Sequence, residues 1–235
     1  MRRHDFVFLD AQGTLLQARP SLSGVYSLIC GRFGLEISET DLTAAVAGIW
    51  AEYRTSIDPE NAILDTSDEI TRQWWANFNG RLYERLGIAR DRQAFLDALW
   101  DVFGRAENWT LFSDVEGALA ELRRRGYKLA IVSNWDSRLL EICDMLGLSE
   151  LMEFVVASAA VGVEKPDKRI FKIALAKAGI DAERAIHVGD DYTADVLGAK
   201  YAGVEAVYLD REGLHPENGH VPTIRSLSEL PGLLD

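Results

Sequence analysis

Cysteine is nearly absent from this chain of 235 residues: the two thiols, Cys30 and Cys143, lie far apart and outside any partner motif. That spacing excludes a disulfide framework and a zinc site, reads the two thiols as small buried apolar groups, and fits a reducing compartment. Proline is scarce too, at 6 residues, while 48% of the chain is hydrophobic and 26% charged. This is the balance of an ordinary globular protein and rules out disorder and fibrous repeats. Positive charge is the third deficit. Lys and Arg number 25 against 37 Asp and Glu, a formal net charge of −12. Such a chain repels phosphate backbones and anionic lipid at long range, so nucleic acid and membrane surfaces are not expected partners. A local anion site is still permitted. No apolar run approaches the roughly 18–20 residues of a membrane span, and the first, Phe6–Leu9, is shorter than a signal-peptide core. The expectation is a soluble, cytoplasmic protein, either one large domain or a main domain with an insert.

What is present is a regular alternation. Five short apolar runs, Phe6–Leu9, Leu129–Val132, Phe154–Ala157, Ala185–Val188 and Ala206–Leu209, are continuous rather than alternating. Strands buried on both faces of a parallel sheet read this way. Helical patterns over Asp114–Arg125, Asp136–Leu146, Asp167–Ala178 and Thr193–Ala202 each precede one of the last four runs, and each is followed by a glycine. Ser113 with Glu116 resembles a capping box for the first of them. The alternation predicts right-handed βαβ crossovers and an α/β fold, a doubly wound parallel-sheet core. Between Gln17 and Glu107 the pattern changes to four helical stretches, near Ser21–Phe33, Thr40–Ile57, Ser67–Leu86 and Asp91–Arg105, with Thr66 and Glu69 as a capping box for the third. Trp50, Trp74, Trp75 and Trp100 fall on these helices and Trp109 just beyond. They predict an inserted all-helical segment with its own aromatic core, or an aromatic such as Trp74 or Trp75 that touches substrate.

In an open parallel sheet, ligands bind beyond the carboxyl ends of the strands near the point where strand order reverses. Here the strand ends carry Asp10, then Ser133-Asn134, then Ser158 with a loop ending Glu164-Lys165-Pro166, and Gly189-Asp190-Asp191. One such residue would be an ordinary turn former; together they place acids, a hydroxyl and an amine along one edge. Asp10, followed by a Gly13-Thr14 turn, is a carboxylate on a rigid scaffold, able to attack phosphorus. Asp190, Asp191 and Asp195 supply hard oxygen ligands suited to Mg²⁺, and one of them also suits the N-cap of the following helix. Ser133, Asn134 and Lys165 offer donors and a point charge to an anion. His187 lies inside an apolar run and reads as a core or supporting residue; His4, His215 and His220 form no metal spacing. Arg123–Arg125 reads as a helix C-terminus.

These residues, in this order, resemble the haloacid dehalogenase (HAD) superfamily: the Asp10-x-x-Gly13-Thr14 start, Ser133 after the second strand, Lys165-Pro166-Asp167, and Gly189-Asp190-Asp191 with Asp195 beyond. Thr71–Trp75 and Ile131–Asp136 are similar to the subgroup of haloacid-dehalogenase-like hydrolase domain-containing proteins. The resemblance implies a Rossmann-like core over residues 1–16 and 108–235, with a type-1 helical cap over 17–107. It implies Asp10 as the nucleophile that forms an aspartyl-phosphate, with Ser133 and Lys165 holding phosphate beside Thr14 and Asn134. It further implies Mg²⁺ held by Asp10, the main-chain carbonyl of Gln12 and Asp190, with Asp191 and Asp195 in support. The expected partner is a small phosphorylated substrate. Monomer and homodimer are not distinguished.

One position departs from the phosphatase pattern. The family's phosphatases carry an acid/base aspartate two residues after the nucleophile, where this chain has Gln12. A carboxamide hydrogen-bonds but transfers no proton near neutral pH, and general acid–base help is worth roughly 10²–10⁴-fold. The expectation is a Mg²⁺-dependent phosphatase type with impaired or specialised turnover, best with leaving groups of low pKa. Two alternatives stand: a non-catalytic module that binds phosphate and metal, and a 2-haloacid dehalogenase, whose halide leaves without a proton.

Overall fold

The computed structural model describes residues 3–54, 58–88, 91–213 and 221–234. His215, His220 and Ile57, the last residue of the second expected helix, lie outside the described residues.

In chain order the elements are β1 (Phe6–Leu9), β2 (Leu16–Ala18), α1 (Leu22–Arg32), α2 (Glu39–Arg54), α3 (Asp68–Arg85), α4 (Arg92–Phe103), β3 (Trp109–Leu111), α5 (Val115–Arg124), β4 (Lys128–Ser133), α6 (Leu139–Met145), β5 (Phe154–Ala157) and α7 (Ser158–Val161). They continue as α8 (Lys168–Ala178), β6 (Ala185–Gly189), a π-helical turn (Tyr192–Leu197), α9 (Gly198–Tyr201), β7 (Glu205–Leu209), β8 (Thr223–Ile224) and α10 (Leu230–Leu233). Six strands form a parallel sheet in the order β5-β4-β1-β6-β7-β8. The five apolar runs all lie in its strands, and β8 is added at the edge. Strand order reverses at β1, which pairs with β4 on one side and β6 on the other.

Period-2 alternation explains why the runs are continuous. Phe6 and Phe8 bury into one face of the sheet with Val132, Ile170 and Phe171; Val7 and Leu9 bury into the other with Leu119, Leu122 and Ile142. The second face has no boundary with the helical segment: Phe78, Phe95 and Leu99 belong to the same continuous cluster. The helices therefore lack the separate core expected from their tryptophans, because Trp109 packs across onto Trp135 at 4.7 Å and joins the two sides. The chain enters and leaves these helices through an antiparallel ribbon of β2 and β3, pairing Leu16 with Leu111 and Ala18 with Trp109. Each strand is only three residues long, too short for a periodic signal.

Three local expectations shift for tertiary reasons. The cap of α3 is Ser67, whose Oγ accepts from the Ile70 amide at 3.1 Å, rather than Thr66, whose hydroxyl bonds Thr71 instead. The Ser113–Glu116 capping box does not form. Asp114 occupies the N-cap of α5, and its carboxylate is drawn away to Arg211 at 2.9 Å, Ser226 and the Leu227 amide. The helix expected over Thr193–Ala202 begins as a π turn and becomes α only at Gly198. In that wider turn Asp195 is buried toward the sheet.

Cys30 and Cys143 are both buried and unpaired, and burial pushes the Cys143 thiol up to about 12. Arg124 and Arg125, in the basic run that closes α5, both bind Glu121. Among the described residues no helix is long and apolar enough to cross a membrane.

Candidate active site

The reversal of strand order opens a crevice at the carboxyl ends of β1, β4 and β6. Asp10 follows β1, and its amide donates to the Val188 carbonyl of β6 at 2.9 Å, so the nucleophile candidate is anchored to the sheet. Ser133 ends β4. Asp190 and Asp191 follow β6, and Asp195 lies one turn further on. Lys165 arrives from the loop after α7. These side chains, with Gln12, line one cavity of about 200 Å³.

At its floor is a charge relay of short contacts. The Lys165 ammonium donates to Asp10 Oδ1 and to Asp195 Oδ1, each at 2.6 Å. Asp195 is also bound by His187 Nε2 at 2.9 Å and by the Asp191 amide at 2.9 Å. His187 is thus a supporting residue of the site, fully buried in β6, with Nδ1 lacking a partner among the described residues. Thr14, also fully buried, donates to Asp190 Oδ1 at 3.1 Å, so its hydroxyl serves the acid rather than opening into the cavity. Asp191 caps the following turn, accepting from the Thr193 and Ala194 amides at 2.9 Å.

Electrostatics separate these acids. Burial raises the Asp10 pKa above the ordinary carboxylate value against the opposing pull of Lys165, and Asp195 adds to the rise. Asp190 is pushed up further, by burial and then by the charges of Asp10 and Asp195. For Asp195 burial acts upward, but Lys165 and His187 outweigh it and hold the carboxyl below the usual range. Burial disfavours the Lys165 ammonium, and Asp10 and Asp195 more than restore it.

The donor set suits a hard divalent cation. Asp10, Asp190 and Asp195 offer carboxylate oxygens that all lie within 4.8 Å of one another. Against these three acids stands one ammonium, Lys165, so that full ionisation would leave an excess of two negative charges in a partly buried site, which a divalent cation would offset. Asp195 has both oxygens engaged, so Asp10 and Asp190 are the acids with oxygens to offer. Gly13 makes their approach possible. Its φ is +81°, and a Cβ there would meet the Asp190 carboxylate at 2.2 Å.

Three residues that shape the site were not read from the sequence as part of it. Trp50 and Tyr53, three apart on α2, reach the cavity from the helical segment. Arg211, 198 residues from Gly13, grips the turn after Asp10 through the carbonyls of Gly13 at 3.1 Å and Thr14 at 2.8 Å. Nothing local marks that arginine. By contrast, the Trp50–Tyr53 spacing could have flagged one helix face.

A family model described as haloacid dehalogenase-like hydrolase matches residues 4–203. The chain belongs to the haloacid dehalogenase-like hydrolase family. It is 40% identical over 200 residues to haloacid dehalogenase-like hydrolase domain-containing protein 3 of Mus musculus, covering 84% of this chain and 78% of that protein. It is 35% identical over 180 residues to a phosphoserine phosphatase of Thermus thermophilus, covering 74% and 67% respectively. In three dimensions it is similar to YfnB of Bacillus subtilis in a magnesium-bound crystal form, with TM-score 0.80, full coverage of both chains and 18% identity, a likeness of fold.

Proposed function

We propose that this hydrolase is a Mg²⁺-dependent phosphatase type acting on a small phosphorylated metabolite, with Asp10 as nucleophile and turnover specialised by Gln12. The observation that carries the reading is Asp10 itself: an anchored carboxylate, 2.6 Å from a buried ammonium, facing a cavity with an excess of acids. Phosphatases among the relatives support the same class.

Asp10 attacks phosphorus, the bond to the leaving oxygen breaks, and an aspartyl-phosphate forms. Lys165 and Ser133 hold the phosphoryl oxygens and stabilise the Asp10 anion before attack. Mg²⁺, held by Asp10, Asp190 and the Gln12 carbonyl, would supply positive charge to the phosphoryl group. Asp195 keeps Lys165 charged and oriented, and Asp191 shapes the turn that carries both Asp190 and Asp195. Gln12 leaves the departing oxygen without a proton donor. Residues 1–16 and 108–235 act as the catalytic core and 17–107 as a cap that closes over the strand ends about the ribbon of β2 and β3. Identical interdomain angles with and without Mg²⁺ and a phosphate analogue would sink the closure.

The test is p-nitrophenyl phosphate hydrolysis with and without Mg²⁺ for the wild type, Asp10→Asn and Gln12→Asp. Metal-dependent turnover is expected and lost in Asp10→Asn; Gln12→Asp, which adds a base for the water that hydrolyses the aspartyl-phosphate, should raise it by at least about tenfold where that step limits the rate. Persistent turnover in Asp10→Asn overturns the nucleophile. Gln12 also favours a second reading, a phosphate- and metal-binding protein without turnover. Ligand binding with no product in the wild type would establish that reading instead.

A further inference from the structure

A second chamber of about 120 Å³ adjoins the first and shares Gln12, Trp50, Tyr53 and Asn134 with it. Its remaining wall brings three more aromatic rings, Trp74 and Trp75 of α3 and Trp135, set among Ile70 and polar side chains. These rings brace one another. Trp50 and Trp74 lie 5.3 Å apart between centroids, Tyr53 and Trp74 5.1 Å, and Trp74 and Trp75 5.8 Å at 90°. Trp74 is fixed from behind by stacking on Phe78 at 5.3 Å and 24°. The chamber therefore presents flat, pre-set surfaces, and such surfaces favour offset-stacked or edge-on aromatic guests.

Size and charge narrow the guest. A cavity of about 150 Å³ accommodates benzene, so about 120 Å³ suits one six-membered ring and is small for a fused pair. Among the described residues no Lys or Arg lines this chamber; its charged wall residues are Asp65, which Arg169 pairs at 2.9 Å, and Glu164. A guest bearing its own negative charge finds no counter-charge there, whereas in the adjoining chamber Lys165, with Mg²⁺ on the reading above, would take the anionic group. Gln12 stands at the junction, beside the place where the two parts of such a ligand are joined.

We propose that the second chamber binds a single aromatic ring attached through oxygen to a phosphate held in the first, so that the ligands of this site are aryl phosphates of small phenols. This rests on the phosphatase-type reading above for where the phosphate sits. The chemistry matches Gln12. Asp10 oxygen bonds to phosphorus as the phosphorus–phenol oxygen bond breaks, and the electron pair leaves on a phenolate. That ion has a conjugate-acid pKa of about 10, against about 16 for water and alkoxides of similar basicity. It departs without a proton from the protein and is protonated by solvent. Water then attacks the aspartyl-phosphate, its proton passing to a phosphoryl oxygen, which releases phosphate and restores the Asp10 carboxylate.

The test compares two unreactive probes in Mg²⁺ by isothermal titration, phenylphosphonate and methylphosphonate, which differ in the ring alone. Wild type is expected to bind phenylphosphonate about tenfold more tightly, or about 1.4 kcal/mol. The ratio should fall below about threefold in Trp74→Leu and in Ile70→Trp. Ile70 is 50% exposed at the chamber rim, so Ile70→Trp fills the space without opening the core and serves if Trp74→Leu fails to fold. A wild-type ratio near one, no phenylphosphonate binding, or an undiminished ratio in Ile70→Trp overturns the proposal. The ratio reads the chamber independently of turnover. Absence of p-nitrophenyl phosphate hydrolysis alongside a tenfold ratio would remove the phosphatase reading and leave the aryl site standing.

Discussion

Asn134 and Lys165 exchange two hydrogen bonds: the Asn134 side-chain nitrogen donates to the Lys165 carbonyl at 2.8 Å, and the Lys165 amide donates to Asn134 Oδ1 at 2.7 Å. The pair ties the loop after α7 to the end of β4 and fixes the main chain from which the Lys165 ammonium reaches Asp10 and Asp195. Asn134 acts on the site through Lys165. Asn134→Ala should cost about 1–3 kcal/mol by stranding two main-chain groups, a fall of roughly 2–4 °C in Tm per kcal/mol for a chain of this size. A thermal melt unchanged from wild type would contradict this.

Three acids against one ammonium predict a metal-free site under repulsion. In EDTA, Asp190→Asn should melt above the wild type, since it removes one of the like charges and keeps an acceptor for Thr14. Adding Mg²⁺ should raise the wild-type Tm, by the equivalent of about 2.7 kcal/mol at a hundredfold excess over Kd, and leave Asp190→Asn nearly unmoved. Equal Mg²⁺ shifts in both proteins would exclude Asp190 as a ligand.

Gly13→Ala tests the approach of the Asp190 carboxylate to the turn after Asp10. The new methyl group would lie 2.2 Å from Asp190 Oδ2, at a backbone φ of +81° that side chains rarely adopt. The variant should lose about 1–3 kcal/mol of stability and at least about tenfold in Mg²⁺ affinity. Titration calorimetry giving wild-type Mg²⁺ affinity would refute the close approach.

Asp114 ties the start of α5 to Arg211 and to the Ser226–Leu227 turn. Burial alone would raise its pKa, but Arg211, Ser226 and the Leu227 amide hold it below the ordinary carboxylate value. The unfolded chain therefore takes up a proton at higher pH than the folded one. The stabilisation is fully present above the unfolded pKa of about 4 and is lost as pH falls through the lower folded value. Asp114→Asn should melt below wild type at pH 7, by the equivalent of about 2–3 kcal/mol. The gap should narrow steadily from pH 5 to pH 2; a gap independent of pH would show that the charge is not responsible.

The strands were legible because their signal is local. Phe6–Leu9 and Phe154–Ala157 are apolar on both faces whatever they pair with, and the observed strands carry those bounds. The polar residues after β1, β4 and β6 were legible for the same reason, as breaks at the ends of apolar runs. Pairing was not. That Lys165 meets both Asp10 and Asp195, that Arg211 grips the Gly13–Thr14 turn, and that Asp114 abandons its cap for Arg211 each depend on groups 30 to 198 residues apart. No periodicity encodes such distances. The tryptophans show the division most plainly: their helical spacing placed them on α2, α3 and α4, but only folding over the strand ends made Trp50, Trp74 and Trp75 the wall of a chamber shared with Gln12. Local pattern determines which residues are buried and in what element; the partner of a buried charge or ring is chosen when distant segments desolvate together.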